Sequence, residues 1–325
     1  MESRVINWGI IGAGKIAAKF AADLRTIPNS NIFAIASRNL EKANAFGKAF
    51  NADVTYGSYA ELAKDSNIDA IYIATPHSFH KDHTLLCLDN KKAVLCEKPF
   101  AMNLEEVEKM IQLSKKNNVL LMEAMWTIFL PHFQYVIELI KNKHYGNVLK
   151  LEADFGFHPI YDKTSRVFDK SVGGGSLLDI GIYPVFAALF TLGKPNSIEA
   201  VAKFFASGAD SECEIVFHYN NAKASLKSTL LEETPTEATF HCENGTIKIN
   251  SRFHEPSSVK LIDQYGNSEL IKFDYNTIGY SYEIEHFNQL IRENKTESDL
   301  MTFDKSRQLI RTLDAIRKLI NLQYK

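Results

Sequence analysis

Val5-Ile6-Asn7-Trp8-Gly9-Ile10-Ile11 leads directly into Gly12-Ala13-Gly14-Lys15-Ile16-Ala17. The apolar run is too short for a helix and suits a buried parallel strand. The segment Gly12–Ala17 fits G-x-G-x-x-A. Ile16, Phe20, Leu24 and Ile27 then recur at three- and four-residue spacing, the period of a helix that buries one face. Strand, glycine turn and helix in that order is the context in which the pattern binds a dinucleotide. Gly12 permits the tight turn, Gly14 lets backbone approach a pyrophosphate, and Ala17 allows close packing of helix on strand. The helix start at Lys15 and Ile16 offers N–H groups and dipole to the phosphates.

Moving outward, the second strand, Ile32–Ala36, ends in Ser37-Arg38-Asn39. Sites that prefer NAD carry Asp or Glu here, bonded to the ribose hydroxyls. A hydroxyl and a guanidinium instead suit a 2′-phosphate, with Lys42 one turn further on. A charge-assisted contact contributes ~1.5–3 kcal/mol, so NADP is expected over NAD. Alternation continues: Tyr59–Lys64 helical, Ala70–Ala74 a strand ending at Thr75-Pro76-His77, His77–Asp89 helical, Lys92–Cys96 a strand. Leu104–Lys116 comes next as a helix opened by Asn103, with Glu106 three residues on, and Val119–Met122 closes the set. This predicts a doubly wound parallel sheet. Ligands bind beyond the carboxyl ends of such strands, where Gly12, Ser37, Thr75, Pro76 and Lys98 all fall.

One of those ends is Val94-Leu95-Cys96-Glu97-Lys98-Pro99, a buried strand that delivers an acid and an amine to the sheet edge. The residue before a proline is pushed out of the α region, so Lys98 is extended or turning. His77, His80 and His83 could suggest a metal. Their three-residue steps drift around a helix and no carboxylate completes the set, so no metal is expected. They are read instead as polar contacts at a helix start, or for His77 as packing near the cofactor.

After Glu123 the pattern changes to strand-like runs: Val148–Phe157, Ile198–Phe205, Glu212–Tyr219, Lys223–Leu230, Ala238–His241, Thr246–Ile249, Val259–Ile262 and Leu270–Phe273. Asn244-Gly245 is a hairpin signal and Tyr265-Gly266-Asn267 another turn. Tyr282–Arg292 and Phe303–Leu322 are amphipathic closing helices. The fold class expected is α/β then α+β. A dinucleotide-binding Rossmann domain occupies 1–122. A substrate-binding and dimerisation domain occupies 123–325, with a large, mostly antiparallel, open sheet backed by helices. Within it lies Gly173-Gly174-Gly175-Ser176-Leu177-Leu178-Asp179-Ile180-Gly181-Ile182-Tyr183-Pro184. Asp179 and Tyr183, four apart, share a helix face. On so apolar a helix that pair is costly unless it is used or hydrogen-bonded.

Composition narrows the classes. The chain has 325 residues, 45% hydrophobic and 23% charged, with a net charge of −2 and no long basic run. Nucleic acid and anionic membrane are excluded as expected partners. No apolar run reaches the ~18 residues of a membrane span, and no signal-peptide layout is present. Cys87, Cys96, Cys213 and Cys242 are scattered and read as buried thiols of a cytoplasmic protein.

Taken together, Gly12–Ala17, Thr75-Pro76, Glu97-Lys98-Pro99, Met122–Trp126 and Gly173–Tyr183 resemble the glucose–fructose oxidoreductase/inositol dehydrogenase (Gfo/Idh/MocA) family over nearly the whole chain. Tyr183 with Trp126 resembles its dimeric dihydrodiol dehydrogenase/NADP-dependent D-xylose dehydrogenase branch, since many members carry histidine at the Tyr183 position. The resemblance implies an NADP-dependent dehydrogenase acting on a small-molecule sugar or vicinal diol. It implies Lys98, Asp179 and Tyr183 as catalytic residues, Tyr183 as acid/base with Lys98 as its electrostatic partner. Gly12, Gly14, Lys15, Ile16, Ser37, Arg38, Thr75, Pro76, His77, Glu97 and Lys98 would bind cofactor. Trp126, Phe157, Asp179 and Tyr183 would bind substrate. A homo-oligomer through the C-terminal sheet is implied as well. The chain departs from many relatives at Ile128, where they carry arginine. The alternatives are a non-catalytic NADP-binding sensor or scaffold of the same fold, and a sugar-modifying enzyme that holds NAD tightly.

Overall fold

The computed structural model describes residues 4–162 and 164–324. Internal packing divides the chain into two units. One holds the chain up to Phe129 together with Asn276–Arg307, the other Leu130–Tyr275 and the chain from Gln308 on.

The first unit alternates strand and helix: β1 (Ile6–Ile11), α1 (Lys15–Leu24), β2 (Ser30–Ala36), α2 (Leu40–Phe50), β3 (Val54–Tyr56), α3 (Tyr59–Lys64), β4 (Ala70–Ile73), α4 (His80–Asp89), β5 (Ala93–Glu97), α5 (Leu104–Asn117) and β6 (Leu121–Ala124). The six strands pair in the order β3-β2-β1-β4-β5-β6, and every pairing is parallel. The order reverses between β1 and β4, the switch point at which such sheets open a crevice. Register aligns the ends: Ile11 lies opposite Ala36 and Ile73, and Ile73 lies opposite Cys96. The turns at Gly12, Ser37, Thr75 and Lys98 therefore share one edge. β4 and β5 are buried along their whole length, as a central parallel strand covered on both faces must be. Asn103 accepts the Glu106 N–H (3.0 Å), and Glu106 reaches back to the Met102 N–H (3.0 Å), one residue earlier than a standard capping box.

The second unit contains α6 (Pro131–Lys141), β7 (Val148–Gly156), α7 (Ile182–Leu192), β8 (Ser197–Phe204), β9 (Asp210–His218), β10 (Lys223–Thr229), β11 (Ala238–Cys242), β12 (Gly245–Ile249), β13 (Val259–Asp263) and β14 (Ser268–Ile271). All eight strands expected from the sequence form, with ends shifted by no more than two residues. They make one sheet, β14-β13-β12-β11-β7-β10-β9-β8, antiparallel except where β10 meets β7. Leu151, Ala153, Phe155, Ile215, Phe217, Ala224 and Leu226 point to the buried face that α7 covers. Glu152, Glu214, Ser225 and Lys227 alternate onto the other face. The hairpin turn is Glu243-Asn244, one residue before the expected Asn-Gly, because Cys242 pairs with Gly245. Gly245 serves close packing instead: a Cβ there would meet the Ile262 carbonyl at 2.5 Å.

The helical run Lys170–Leu192 is long and apolar enough to cross a membrane, although no apolar run of the ~18 residues of a span is expected from the sequence. With 83% of its apolar window buried inside the protein, it is a core helix.

The chain returns to the first unit in α8 (Tyr280–Arg292), whereas the sequence places everything after residue 122 in the second domain. The reason is one buried carboxylate. Asp23 accepts the N–H groups of Ile278 (3.0 Å), Gly279 (2.9 Å) and Ser281 (3.2 Å), capping α8 from α1. Trp8 adds an indole N–H bond to Asn288 Oδ1 (3.1 Å) and packs its ring on Phe287. These partners lie more than 250 residues apart, beyond any local sequence signal. A final helix, α9 (Phe303–Leu319), begins in the first unit and ends in the second.

Candidate active site

Glycine chemistry at the end of β1 fits a dinucleotide. Gly12 sits at φ +105°, a conformation L side chains rarely adopt, and a Cβ there would meet the Ala74 carbonyl at 2.7 Å. Gly14 is exposed, with open space where its Cβ would be. It begins α1 with no side-chain cap and no acid in the first turn, so the helix N–H groups are left for an anion. Lys15 and Ile16 beside it are exposed. At the end of β2, Ser37 is buried and Arg38 is exposed, its guanidinium 5.7 Å from the Phe79 ring. Asn39 is taken up as the cap of α2, accepting the Lys42 N–H (3.0 Å).

At the ends of β4 and β5 the turns are tied together by His80. Its Nδ1 lies 2.8 Å from the Pro99 carbonyl and its Nε2 2.8 Å from the Thr75 carbonyl. Both ring nitrogens thus face backbone carbonyls. No group of three or more metal-ligating side chains occurs among the described residues. His83 meets Thr75 Oγ1 at 3.0 Å, and His77 is buried beside His80. The Lys98–Pro99 bond is cis. Lys98 is half-buried, and Glu97 Oε2 accepts its backbone N–H (3.2 Å) while Oε1 receives the Tyr72 hydroxyl. Behind them Glu123 accepts the Phe100 N–H (3.0 Å), and burial pushes its carboxyl up to about 7. Glu97 thus faces into the unit. Trp126 is also buried, with Tyr280 stacked on its ring at 4.4 Å, and Ile128 is a core residue.

In the second unit, the site helix opens with a π turn, Leu177–Gly181, that runs into α7. Such turns are rare and concentrate at functional sites. Its start is held from outside. Asp210 on β9, fully buried, accepts the Leu177 N–H (2.6 Å) and the Ser176 hydroxyl (2.8 Å). Burial holds that carboxyl above its ordinary range. The three glycines allow the approach: a Cβ on Gly175 would meet Asp210 Oδ1 at 2.0 Å, and one on Gly174 the Arg166 carbonyl at 2.2 Å. Asp179, 6% exposed, receives the Arg166 guanidinium at 2.9 Å. Tyr183, also 6% exposed, packs its ring on Phe155 (5.8 Å) and His254 (4.6 Å). Phe157 lies just past β7, half-buried, its N–H bonded to the Thr229 carbonyl (3.1 Å).

Of the residues singled out from the sequence, the structure gathers Gly12, Gly14, Lys15, Ile16, Ser37, Thr75 and Lys98 at one sheet edge of the first unit. It gathers Asp179 and Tyr183 on one helix of the second. Sequence reasoning missed Arg166, Asp210 and His254, and weighed His80 as one of three histidines making polar contacts at a helix start. Only Arg166 and Asp210 carried a signal, as charges flanking an apolar motif.

Residues 6–125 match the GFO/IDH/MocA "Oxidoreductase family, NAD-binding Rossmann fold", and residues 133–248 match the "GFO/IDH/MocA C-terminal domain". The chain is 36% identical over 333 residues to the trans-1,2-dihydrobenzene-1,2-diol dehydrogenase of Xenopus tropicalis, covering 98% of this chain and 99% of that one. It is 34% identical to the scyllo-inositol 2-dehydrogenase (NADP(+)) IolU of Bacillus subtilis, covering 98% of each. Among solved structures, its fold is similar to that of KijD10, a 3-ketoreductase from Actinomadura kijaniata in complex with NADP and TDP-benzene. The TM-score is 0.88 at 23% identity, over 98% of each chain.

Proposed function

The chain belongs to the Gfo/Idh/MocA oxidoreductase family, and from that premise we propose that it is an NADP-dependent dehydrogenase acting on a CH–OH group of a sugar or vicinal diol. The nicotinamide, when bound, supplies the hydride acceptor. Gly12, Gly14 and the α1 start hold the pyrophosphate, and Ser37 with Arg38 reads the 2′-phosphate. Tyr183 takes the substrate hydroxyl proton as phenolate and returns it in the reverse direction. Lys98 favours the ionised phenol through its positive charge and bonds the substrate oxygen. Asp179, ion-paired with Arg166, orients the substrate.

The observation that carries this reading is Tyr183 itself. A phenol stands four residues after an ion-paired Asp179, on a helix start that a remote carboxylate fixes in place. The test is reduced-nicotinamide absorbance from the purified protein with NADP⁺ or NAD⁺ and a panel of aldoses, inositols and trans-dihydrodiols. Turnover with NADP⁺ on at least one class is expected. Silence across the panel with NADP still bound would favour a non-catalytic sensor.

The enzyme works in the cytoplasm as a homo-oligomer joined through the outer face of the second sheet. Support comes from four free thiols and from Val201 on β8, 66% exposed on the face it shares with Glu199 and Glu214. A monomer by sedimentation would overturn the assembly.

A further inference from the structure

The stretch after α9 runs back to the glycines that precede the site helix. At the end of α9 the Leu322 N–H bonds the Arg317 carbonyl (2.9 Å) and the Asn321 N–H bonds the Lys318 carbonyl (3.3 Å). Asn321 sits at φ +54°, in the left-handed region that asparagine tolerates better than most residues. This is the turn that stops a helix and reverses the chain. Leu322 is buried beside it, and Tyr324 is carried back onto the second unit's site. The Tyr324 ring lies 4.9 Å from the Arg317 guanidinium, which Asp314 Oδ1 meets at 3.3 Å. Its hydroxyl donates to the Gly174 carbonyl at 3.4 Å. Burial pushes this phenol well above its ordinary range, and the nearby Asp210 and Asp179 carboxyls add to the rise. Tyr324 thus stands among Gly174, Asp210 and Asp179, three groups on which the site helix depends.

Gly174 is where that contact counts. The loop from Arg166 to Gly175 is folded on its own backbone. The Arg166 carbonyl accepts the Asp169 N–H (3.1 Å), the Asp169 carbonyl the Gly174 N–H (2.9 Å), and the Val167 carbonyl the Gly175 N–H (2.9 Å). A Cβ on Gly174 would meet the Arg166 carbonyl at 2.2 Å and the Asp169 carbonyl at 2.7 Å. One side of Gly174 is therefore pressed on the residue whose guanidinium pairs with Asp179 (2.9 Å), and its carbonyl faces Tyr324. The Arg166 side chain is 40% exposed, so water screens the pair and attraction alone does not fix its geometry. Where the backbone of the loop sits decides where Arg166 meets Asp179.

We propose that Tyr324 is a positioning residue for the reaction, a clamp on Gly174 that holds the Arg166 loop closed and so keeps the Arg166–Asp179 pair aimed at the substrate. The inference rests on the oxidoreductase reading above, in which Asp179 orients the substrate. The ring matters more than the hydroxyl. A donor–acceptor distance of 3.4 Å is long for a hydroxyl, whose bonds cluster at about 2.7–2.8 Å, so that bond contributes little. The ring, held on the Arg317 guanidinium, closes the side of the loop opposite Arg166. Without it Gly174 is free to move on that side, and glycine has the widest choice of conformations to move into. The Arg166 backbone, packed on Gly174, relaxes with it. A small displacement at an orienting group can cost up to ~10²-fold in rate. A tyrosine packed for stability alone would change the folded fraction and leave the kcat of the folded enzyme where it was.

The test measures kcat, KM and NADP⁺ affinity in the wild type, Tyr324→Phe, Tyr324→Ala, Arg166→Ala and the variant carrying both alanines. The substrate is whichever of scyllo-inositol, D-xylose and trans-1,2-dihydrobenzene-1,2-diol the wild type turns over fastest. Tyr324→Phe keeps the ring and is expected to stay within about threefold of wild-type kcat. Tyr324→Ala is expected to lose about tenfold or more in kcat, with NADP⁺ affinity, followed by fluorescence, unchanged. In the Arg166→Ala background the same change is expected to cost less than about threefold, because the clamp acts through Arg166. Urea melts report that each variant is folded. Should Tyr324→Ala fail to fold, Tyr324→Leu replaces it with the same expectations. Normal kcat in the folded Ala or Leu variant, a Tyr324→Phe loss as large as that of Tyr324→Ala, or additive losses in the double variant overturns the inference alone. No turnover by the wild type on any compound with NADP bound overturns the oxidoreductase reading, and the inference with it.

Discussion

The two units place their polar groups by different means. In the first, backbone does it: the turns after Ile11, Ala36, Ala74 and Glu97 end adjacent parallel strands, and register lines them up. In the second, one helix carries Asp179 and Tyr183, and distant side chains fix where it starts. Asp210 comes from β9, Arg166 from the loop before, and His254 from the corner after β12. A site built from backbone turns depends on strand pairing and tolerates side-chain change at its flanks. A site built from borrowed side chains can be undone by a single residue far along the chain. The chemistry should therefore fail in the second unit without disturbing the cofactor groups of the first.

The sharpest way to break that division is Tyr183→Phe. It removes one oxygen and leaves the ring on Phe155 and His254. General acid–base help contributes ~10²–10⁴-fold, and kcat should fall by about that factor. NADP affinity, read by fluorescence quenching, should be unchanged. A matched fall in affinity would mean the two groups of residues are not separable.

Buried charge gives the next contrast. His132 in the second unit is fully buried and neutral, its pKa pulled down to about 4 by burial. Between pH 4 and 6.5 the unfolded chain binds a proton that the folded one excludes. His132 therefore contributes stability above pH 6.5 that is lost as pH falls toward 4. Glu123 in the first unit has the opposite sign. Burial raises it to about 7, so the folded chain holds a proton that the unfolded one has released above the ordinary glutamate range. Its contribution is present at low pH and lost as pH rises through 7. Each shift corresponds to about 3 kcal/mol at 1.36 kcal/mol per unit. In urea melts, His132→Gln should cost most at neutral pH and least near pH 4. Glu123→Gln should gain on the wild type as pH rises from 4.5 to 7. Parallel slopes in the two variants would erase the contrast.

Legibility in the sequence divides along the same line. Every strand but β3 can be read, because apolar runs of period two or full burial are local signals, and the three half-buried residues Val54–Tyr56 give neither. The Gly12–Ala17 turn and the Asn103 cap can be read because their partners lie within a few residues. Asp23 cannot be read as the cap of α8, nor Asp210 as the cap of the site helix, because each donor set lies far along the chain. His132 and His254 look like ordinary polar residues until Phe253 and Phe155 are beside them. Asn244-Gly245 points to a hairpin one residue late because the pair suggests a turn conformation, while Gly245 is there for want of space beside Ile262. The motif Gly173–Tyr183 is visible, but not what its glycines approach: the Arg166 carbonyl and the Asp210 carboxylate.

Caps separate local from borrowed support directly. Asn103 holds one N–H from within its own segment, and Asn103→Ala should cost about 1 kcal/mol, as surface caps do. Asp210 holds an N–H and a hydroxyl inside the protein; Asp210→Ala strands the Leu177 N–H, while the Ser176 hydroxyl keeps Ser228 Oγ at 3.0 Å, for about 2 kcal/mol. It should also lower kcat, since the π turn carrying Asp179 loses its anchor. Equal costs for the two variants, or an Asp210→Ala enzyme of normal kcat, would show that the helix start is fixed by other contacts.

The last contrast lies at the exposed rim of the first unit. Arg38 ends β2 in solvent, its guanidinium over Phe79, with Lys42 also exposed on α2. An exposed charge pair is screened, so only the lower end of the range for charge-assisted bonds applies, about 1.4 kcal/mol or tenfold. Arg38→Ala should raise KM for NADP⁺ about tenfold and leave KM for NAD⁺ and kcat with either cofactor unchanged. Added salt should erode the wild-type preference in the same direction and do little to the variant, because a Debye length near 8 Å at physiological ionic strength shortens further as salt rises. A preference that survives both Arg38→Ala and high salt would place the 2′-phosphate against backbone rather than side chain. That result would make the first unit's site still more a product of its turns.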